Sequence, residues 1–98
     1  MKKGGFVYIL TNTNNTVLYT GVTSNLIQRI QQHKTGSFKD SFTSRYNATK
    51  LVYYEHFDTI TEAIQREKQI KAGSRQKKLD LINRFNPEWK ELSSEFAL

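Results

Sequence analysis

The chain has 98 residues, with 15 lysines and arginines against 9 acidic residues, and a formal net charge of +6 at pH 7. This length suits one small domain, and a hydrophobic fraction of 37% with 12% aromatic residues excludes an intrinsically disordered chain. The absence of cysteine excludes a disulfide scaffold and a thiolate zinc site, and no apolar run predicts a membrane span or a signal peptide. The basic surplus favours an anionic partner, most simply a nucleic acid.

The hydrophobic pattern predicts elements in the order β-β-α-β-α-α. They are strands over residues 5–10 and 17–22, a helix over about 25–34 capped by Ser24, a strand over 50–57, a helix from the Thr59 capping box to about Lys71, and a helix over about 75–84. Residues 36–47 are expected to form a loop, and a short last turn begins at Asn86. The order indicates one domain over residues 1–98, with its core between about 4 and 92.

The first two strands are expected to form a hairpin across an asparagine-rich turn. A loop of residues 13–14 would place Tyr8 opposite Tyr19, and a loop of residues 14–15 would place it opposite Gly21. Both registers put the two tyrosines on the same face, because side chains alternate along a strand. Such a pair either packs as aromatic residues or, beside a cation that lowers a phenol pKa, serves as a base.

Glu67 interrupts the predicted apolar stripe of the second helix, whose other members are Ile60, Ala63, Ile64 and Ile70. An ionised carboxylate facing a core is costly unless a cation or hydrogen-bond donors compensate it. One interpretation is a metal ligand, because Mg²⁺ often needs only one or two protein carboxylates. The alternatives are an edge of the stripe that reaches solvent, or a structural ion pair with one of three arginines, namely Arg29, Arg45 or Arg66.

Two further features carry both a chemical and a structural interpretation. Arg29 and His33 are four residues apart and share a helix face. Arginine can bind a phosphate as a fork and histidine can orient a water or a tyrosine hydroxyl, but the pair also suits a solvated helix face. Gly21, inside a predicted strand, is typical of a bulge or of a close approach to the backbone.

Basic residues cluster around Glu67, which is the only acidic residue between positions 66 and 78. The cluster contains Arg66, Lys68, Lys71, Arg75, Lys77 and Lys78. Such a cluster can contact a phosphate backbone, and it also suits the solvated surface of two helices.

Taken together, these residues resemble the GIY-YIG nuclease superfamily. Phe6-Val7-Tyr8 stands for its first motif, without the glycine, and Tyr19-Thr20-Gly21 stands for the second. Arg29 matches the family's helix arginine, His33 a histidine carried by some members, and Glu67 the metal-binding glutamate. The resemblance covers roughly residues 4–92. Within the superfamily, the sequence is similar to small stand-alone bacterial members, which resemble the nuclease domain of the excision-repair subunit UvrC.

The resemblance implies an α/β (α+β) fold, a small three-stranded antiparallel sheet flanked by helices. It also implies hydrolysis of DNA phosphodiesters with one divalent metal, Mg²⁺ or Mn²⁺, held by Glu67. In that scheme Tyr8 helps to deprotonate the attacking water, directly or through His33. Arg29 stabilises the charge that develops on the phosphate, and Tyr19 positions the water or the phosphate.

The expected partner is DNA, and no membrane partner is expected. The residues expected to contact nucleic acid are Gly21, Arg45, Arg66, Lys68, Lys71, Arg75, Lys77, Lys78 and one asparagine, Asn83 in preference to Asn86. The family's usual DNA-recognition domain is missing, so a protein partner is expected to supply recognition. Two hypotheses follow for a cytoplasmic protein: an endonuclease of DNA repair or recombination, or a nucleic-acid-binding module with weak or no catalysis.

Overall fold

The computed structural model describes residues 4–35 and 42–96 of the chain. Its elements are the strands β1 (Gly5–Thr11), β2 (Leu18–Thr23) and β3 (Lys50–Phe57), the helices α1 (Leu26–Lys34), α2 (Phe42–Arg45), α3 (Ile60–Ala72) and α4 (Arg75–Phe85), and a final 3₁₀ helix (Leu92–Phe96). The strands form one antiparallel sheet in the order β2-β1-β3, so the predicted α+β fold is confirmed. None of the described helices is long and apolar enough to cross a membrane.

Local capping contacts fix where the helices begin. Helix α1 is capped by Asn25, whose side chain accepts a hydrogen bond from Gln28 N at 3.1 Å, so the prediction of Ser24 as the cap is wrong. Thr59 caps α3 through Glu62 N, as the capping box predicts. The predicted loop over 36–47 contains the single turn α2, and residues 36–41 lie outside the described residues.

The hairpin adopts the second of the two predicted registers, in which Tyr8 lies opposite Gly21. The connection between the paired residues is longer than a two-residue turn. Within this connection, Asn12 Oδ1 accepts hydrogen bonds from Thr16 N at 2.7 Å and Val17 N at 3.2 Å. Asn15 has a φ of 57°, which asparagine tolerates better than most residues.

The two faces of the sheet carry separate hydrophobic clusters. Helices α3 and α4 cover one face, with Val7, Ile9, Val52, Ala63, Ile70 and Ile82 at its centre. Helix α1 and the 3₁₀ helix cover the other, with Tyr8, Leu10, Leu26, Ile30 and Leu51. Because α1 and α3 lie on opposite faces, their side chains can meet only around an edge of the sheet, and β2 forms such an edge.

The apolar stripes of the later helices are narrower than the sequence predicts. Ile60 and Ile64 are 39% and 37% exposed, so their placement in the core is wrong. On α4 only Ile82 is fully buried, whereas Leu79 and Leu81 are half-buried. Helix α3 therefore buries a narrow strip of its surface and leaves a broad surface towards solvent.

Candidate active site

The Tyr8 side chain lies across β2 at Gly21. A Cβ atom on Gly21 would be 2.4 Å from both Cζ and Oη of Tyr8, so any larger residue would displace the ring. The predicted close approach at Gly21 is therefore confirmed, and the approaching group is the phenol of Tyr8. The ring of Tyr19 lies 6.3 Å from that of Tyr8, as expected for two side chains on one sheet face.

Helix α1 brings a histidine and an arginine to the Tyr8 hydroxyl. His33 Nε2 lies 3.2 Å from Tyr8 Oη, and the His33 ring is 5.8 Å from the ring of Tyr19. Arg29 is half-buried and donates a hydrogen bond to the Tyr8 hydroxyl. His33 is only 7% exposed, so the alternative of a solvated helix face is wrong for this histidine.

A threonine that the sequence analysis did not single out completes the surroundings of His33. Thr43, on the one-turn helix α2, is 2% exposed, and its Oγ1 lies 2.9 Å from His33 Nδ1. A lone threonine in a polar segment gives no sequence signal for such a contact. The imidazole is thus held through both of its ring nitrogens.

Burial sets the protonation states of the Tyr8–His33 pair. Burial raises the pKa of Tyr8 well above its ordinary value, the nearby Tyr19 raises it further, and Arg29 offsets only part of this. Burial, together with the positive charge of Arg29, lowers the pKa of His33 to about 4. At neutral pH Tyr8 is therefore a phenol and His33 is a neutral imidazole.

Glu67 approaches this group from α3, on the other face of the sheet. Its charge contributes to the raised pKa of Tyr8, so the carboxylate and the phenol interact electrostatically. The Glu67 side chain is 14% exposed and forms an ion pair with Lys71 at 3.0 Å. The alternative of a structural ion pair is confirmed, with Lys71 as the partner of Glu67. The i,i+4 spacing of Glu67 and Lys71 in the sequence is typical of such an ion pair. Of the three arginines considered, Arg66 pairs with Glu55 instead.

In the described part of the chain, the site offers few side chains that could ligate a metal ion, so it suits an ion whose remaining ligands come from the substrate. Within residues 4–35 and 42–96 there is no group of three or more histidine, cysteine, aspartate or glutamate side chains that could hold an ion. Glu67 would be a single carboxylate ligand. Mg²⁺ is commonly held in this way, with phosphate oxygens and waters as the remaining ligands. The site therefore fits a metal completed by the substrate and does not fit an all-protein cage.

Several of the predicted basic residues make contacts within the protein. Arg66 pairs with Glu55 at 3.2 Å, Arg75 donates to the Thr16 carbonyl at 2.9 Å, and Lys78 donates to the Gly73 carbonyl at 2.9 Å. Lys68 and Lys77 are exposed on α3 and α4. The basic segment is thus partly structural and partly presented to solvent.

A groove between α3 and α4 gathers some of these cations. It has a volume of about 370 Å³, and its basic lining residues are Arg66, Lys77, Lys78 and Arg84. Lys78 also lines a smaller depression of about 210 Å³, together with Tyr19 and Lys71. The basic groove therefore continues towards the tyrosine side of the site.

The remaining predicted residues lie apart from these contacts. Arg45 is exposed at the end of α2. Asn83 accepts a hydrogen bond from the Trp89 indole at 2.7 Å. Asn86 is buried and donates to the carbonyls of Val52 and Lys90, at 3.2 Å and 2.9 Å. Both asparagines thus hold the segment that follows α4.

Comparison with known proteins identifies the family of the chain. Residues 4–80 match the family model described as the GIY-YIG catalytic domain. The chain therefore belongs to the GIY-YIG family and has a nuclease-like fold. The resemblance inferred from the two tyrosine motifs is confirmed.

The similar proteins are small. A UPF0213 protein of Syntrophus aciditrophicus is 42% identical over 83 residues, which span 85% of this chain and 93% of that protein. A UPF0213 protein of Staphylococcus saprophyticus is 41% identical over 80% of this chain and 93% of its own length. The solution NMR structure of the UPF0213 protein BH0048 from Bacillus halodurans has a TM-score of 0.57 and 29% identity, over 89% of this chain and 90% of that one. These relatives match over nearly their whole length.

Proposed function

We propose that the protein is a divalent-metal-dependent endonuclease that hydrolyses phosphodiester bonds in DNA. The observation that carries this proposal is the contact of the Tyr8 hydroxyl with Arg29 and His33, together with the electrostatic effect of the Glu67 carboxylate on that hydroxyl. A hydrophobic core alone gives no reason to place a phenol, an imidazole, a guanidinium and a carboxylate together.

Glu67 would hold one Mg²⁺ or Mn²⁺ ion in this proposal. The metal would supply Lewis-acid stabilisation of charge on the phosphate and on the leaving oxygen. The Glu67–Lys71 ion pair must loosen when the carboxylate takes on that role. Lys71 lies beside Tyr19 in the smaller depression and can then contact a phosphate instead.

The Tyr8–His33 contact provides a route for the proton of the attacking water. As an O–H bond of the water breaks, Tyr8 Oη accepts that proton and the proton of Tyr8 passes to His33 Nε2, 3.2 Å away. The result is a hydroxide, a neutral phenol and an imidazolium. Tyr8 is 0% exposed, so this step requires the substrate-bound site to open towards Tyr8 Oη.

Arg29 and Tyr19 take the positioning roles. Both are half-buried and therefore retain some accessible surface. The guanidinium of Arg29, already directed at Tyr8 Oη, can bind phosphate oxygens and stabilise the charge of the transition state. Tyr19 would orient the water or the phosphate beside it.

The groove between α3 and α4 is the proposed path of the DNA backbone away from the site. Its exposed lysine Lys77 and the exposed Lys68 of α3 supply charge that is not tied to an acidic side chain in the described contacts. We further propose a role in DNA repair or recombination like that of UvrC, with a protein partner supplying DNA recognition, because the family model that the chain matches describes a catalytic domain.

The test is cleavage of plasmid and branched DNA by purified protein with Mg²⁺ or Mn²⁺. Glu67→Gln should abolish cleavage, whereas Glu88→Gln, which removes an exposed glutamate charge, should retain it. Equal cleavage by wild type and Glu67→Gln would indicate a contaminant and overturn the proposal.

The second candidate function is a nucleic-acid-binding module with weak or no catalysis. The full burial of Tyr8 and the pairing of Glu67 with Lys71 favour it. It predicts salt-sensitive DNA binding that weakens when Lys77 and Lys78 are neutralised, without metal-dependent cleavage. Absence of any DNA binding at low salt would count against both functions.

A further inference from the structure

We infer that Thr43 is a positioning residue that fixes the tautomer of His33, so that Nε2 faces Tyr8 as a proton acceptor. The structural part of this inference stands on hydrogen-bond geometry. Its meaning for catalysis rests on the proposed function, in which Tyr8 hands its proton to His33.

The Tyr8 hydroxyl has one proton to donate. Tyr8 is 0% exposed, so this proton needs an acceptor within the protein. Arg29 can only donate to the hydroxyl. Among the described contacts of the hydroxyl, His33 Nε2, at 3.2 Å, can accept this proton, and it accepts only when it carries no proton of its own.

The other ring nitrogen must then carry the proton. A neutral imidazole has one N–H group, so an unprotonated Nε2 requires a protonated Nδ1. Thr43 Oγ1 lies 2.9 Å from Nδ1, where its lone pairs are placed to accept a hydrogen bond from a protonated Nδ1. Thr43 thereby stabilises the single tautomer in which the lone pair of Nε2 faces the phenol.

The placement of Thr43 suits this role. His33 is 7% exposed and Thr43 is 2% exposed, so bulk water does not compete for the contact. The two residues are ten positions apart, on different helices, so the contact also joins α2 to α1. A valine at position 43 would keep the shape of the side chain and remove the acceptor.

The tautomer can be measured directly on uniformly ¹⁵N-labelled protein. The ¹⁵N shifts and long-range ¹H couplings of His33 at neutral pH are expected to show a protonated Nδ1 and an unprotonated Nε2. Thr43→Val should shift His33 towards the other tautomer or a mixture, and Thr43→Ser should restore the wild-type pattern. Thr11→Val is the matched control, since Thr11 is equally buried and its hydroxyl donates to the Val17 carbonyl.

Cleavage kinetics provide an independent second readout. Thr43→Val should lower kcat by roughly 10- to 100-fold with KM nearly unchanged, because it disturbs the proton acceptor and leaves the DNA contacts in place. Thr43→Ser should recover most of kcat. If the protein proves not to cleave DNA, the tautomer measurement still decides the structural inference.

Two results would overturn the inference. One is a wild-type His33 with its proton on Nε2, which needs no variant to observe. The other is a folded Thr43→Val protein whose His33 tautomer matches that of wild type. If Thr43→Val fails to fold, the wild-type and Thr43→Ser spectra carry the decision.

Discussion

The phenol of Tyr8 occupies the space into which a side chain at Gly21 would project. A Cβ atom there would lie 2.4 Å from Tyr8 Oη, well inside the contact distance of two non-bonded atoms. The glycine of the second tyrosine motif is thus required by the position of the first tyrosine. The two motifs meet as one packing unit across the hairpin.

Gly21→Ala is therefore expected to displace Tyr8 and to damage both stability and activity. Overpacking of this kind costs about 1–3 kcal/mol of unfolding free energy, which urea denaturation would measure. The rate of DNA cleavage should also fall, because Tyr8 Oη would no longer lie within hydrogen-bonding distance of His33 Nε2. Gly73→Ala is the matched control, since a Cβ there would meet nothing closer than 3.4 Å and its φ of −77° suits alanine. Equal stability of the two variants would contradict the packing argument.

The alternation of side chains along a strand made the tyrosine pair predictable from the sequence. Tyr8 and Tyr19 share a face in both registers considered, and the structure places their rings 6.3 Å apart. The choice between the registers depends on the loop, where Asn12 Oδ1 accepts hydrogen bonds from the amides of Thr16 and Val17. Those contacts exist only in the folded loop, so the residue pattern left both registers open.

The sequence did not predict which side chains are buried by contacts between different elements. His33 lies on a short helix with a polar surface, and it is buried because Tyr8 from the sheet and Thr43 from α2 both contact its ring. The ion pair of Glu67 is different, because Lys71 stands at the i,i+4 spacing that predicts such a pair. The three candidate arginines had no comparable local relation to Glu67.

Removal of the Lys71 charge should strengthen metal binding at Glu67. A cation must now compete with the ammonium group 3.0 Å from the carboxylate, and Lys71→Gln removes that competitor. An ion pair of this kind is worth up to ~1 kcal/mol, so Mn²⁺ affinity should rise about two- to fivefold. Isothermal titration with Mn²⁺ alone would measure the change.

The control for this experiment is Lys68→Gln, which removes one charge from an exposed position on the same helix. It should alter Mn²⁺ affinity only through weak long-range electrostatics. Equal affinities in the two variants would show that Lys71 does not compete for Glu67.

Acid should destabilise the protein through His33. The pKa of His33 is lowered from 6.5 to about 4 on folding, so the unfolded chain binds a proton at a pH where the folded protein does not. The unfolding free energy is therefore unaffected by protonation of His33 well above pH 6.5, and it decreases as the pH falls from 6.5 towards 4. Each pKa unit corresponds to about 1.4 kcal/mol, so roughly 2 kcal/mol should be lost by about pH 5.

Urea denaturation of wild type and His33→Gln at several pH values would separate this effect from other titrations. In the part of the chain that the structure describes, His33 faces Tyr8, Tyr19, Arg29 and Thr43. The variant is less stable overall, but its unfolding free energy should change little across this range. Parallel pH profiles for the two proteins would refute the assignment.

Glu91 is expected to stabilise the fold by joining α1 to β3. Its carboxylate pairs with Lys34 at the end of α1 at 2.9 Å and accepts hydrogen bonds from the amides of Leu51 and Ser93, both at 3.0 Å. Burial alone would raise the pKa of Glu91, but the Lys34 contact and these amides outweigh it and lower the pKa. This stabilisation is present at neutral pH and is lost as the pH falls through the lowered pKa.

Glu91→Gln should therefore lower the unfolding free energy by about 1 kcal/mol at pH 7, a modest value because the side chain is partly exposed and solvent screens the pair. The difference from wild type should shrink in acid, as the pH falls through the lowered pKa of the wild-type carboxyl. Glu88→Gln should have little effect at either pH, since Glu88 is highly exposed and lies 3.6 Å from its partner Lys90. A loss at pH 7 that is equal in both glutamate variants would show that the contacts of Glu91 with α1 and β3 contribute nothing specific. A loss confined to Glu91→Gln and to neutral pH would identify this carboxylate as the link between those elements.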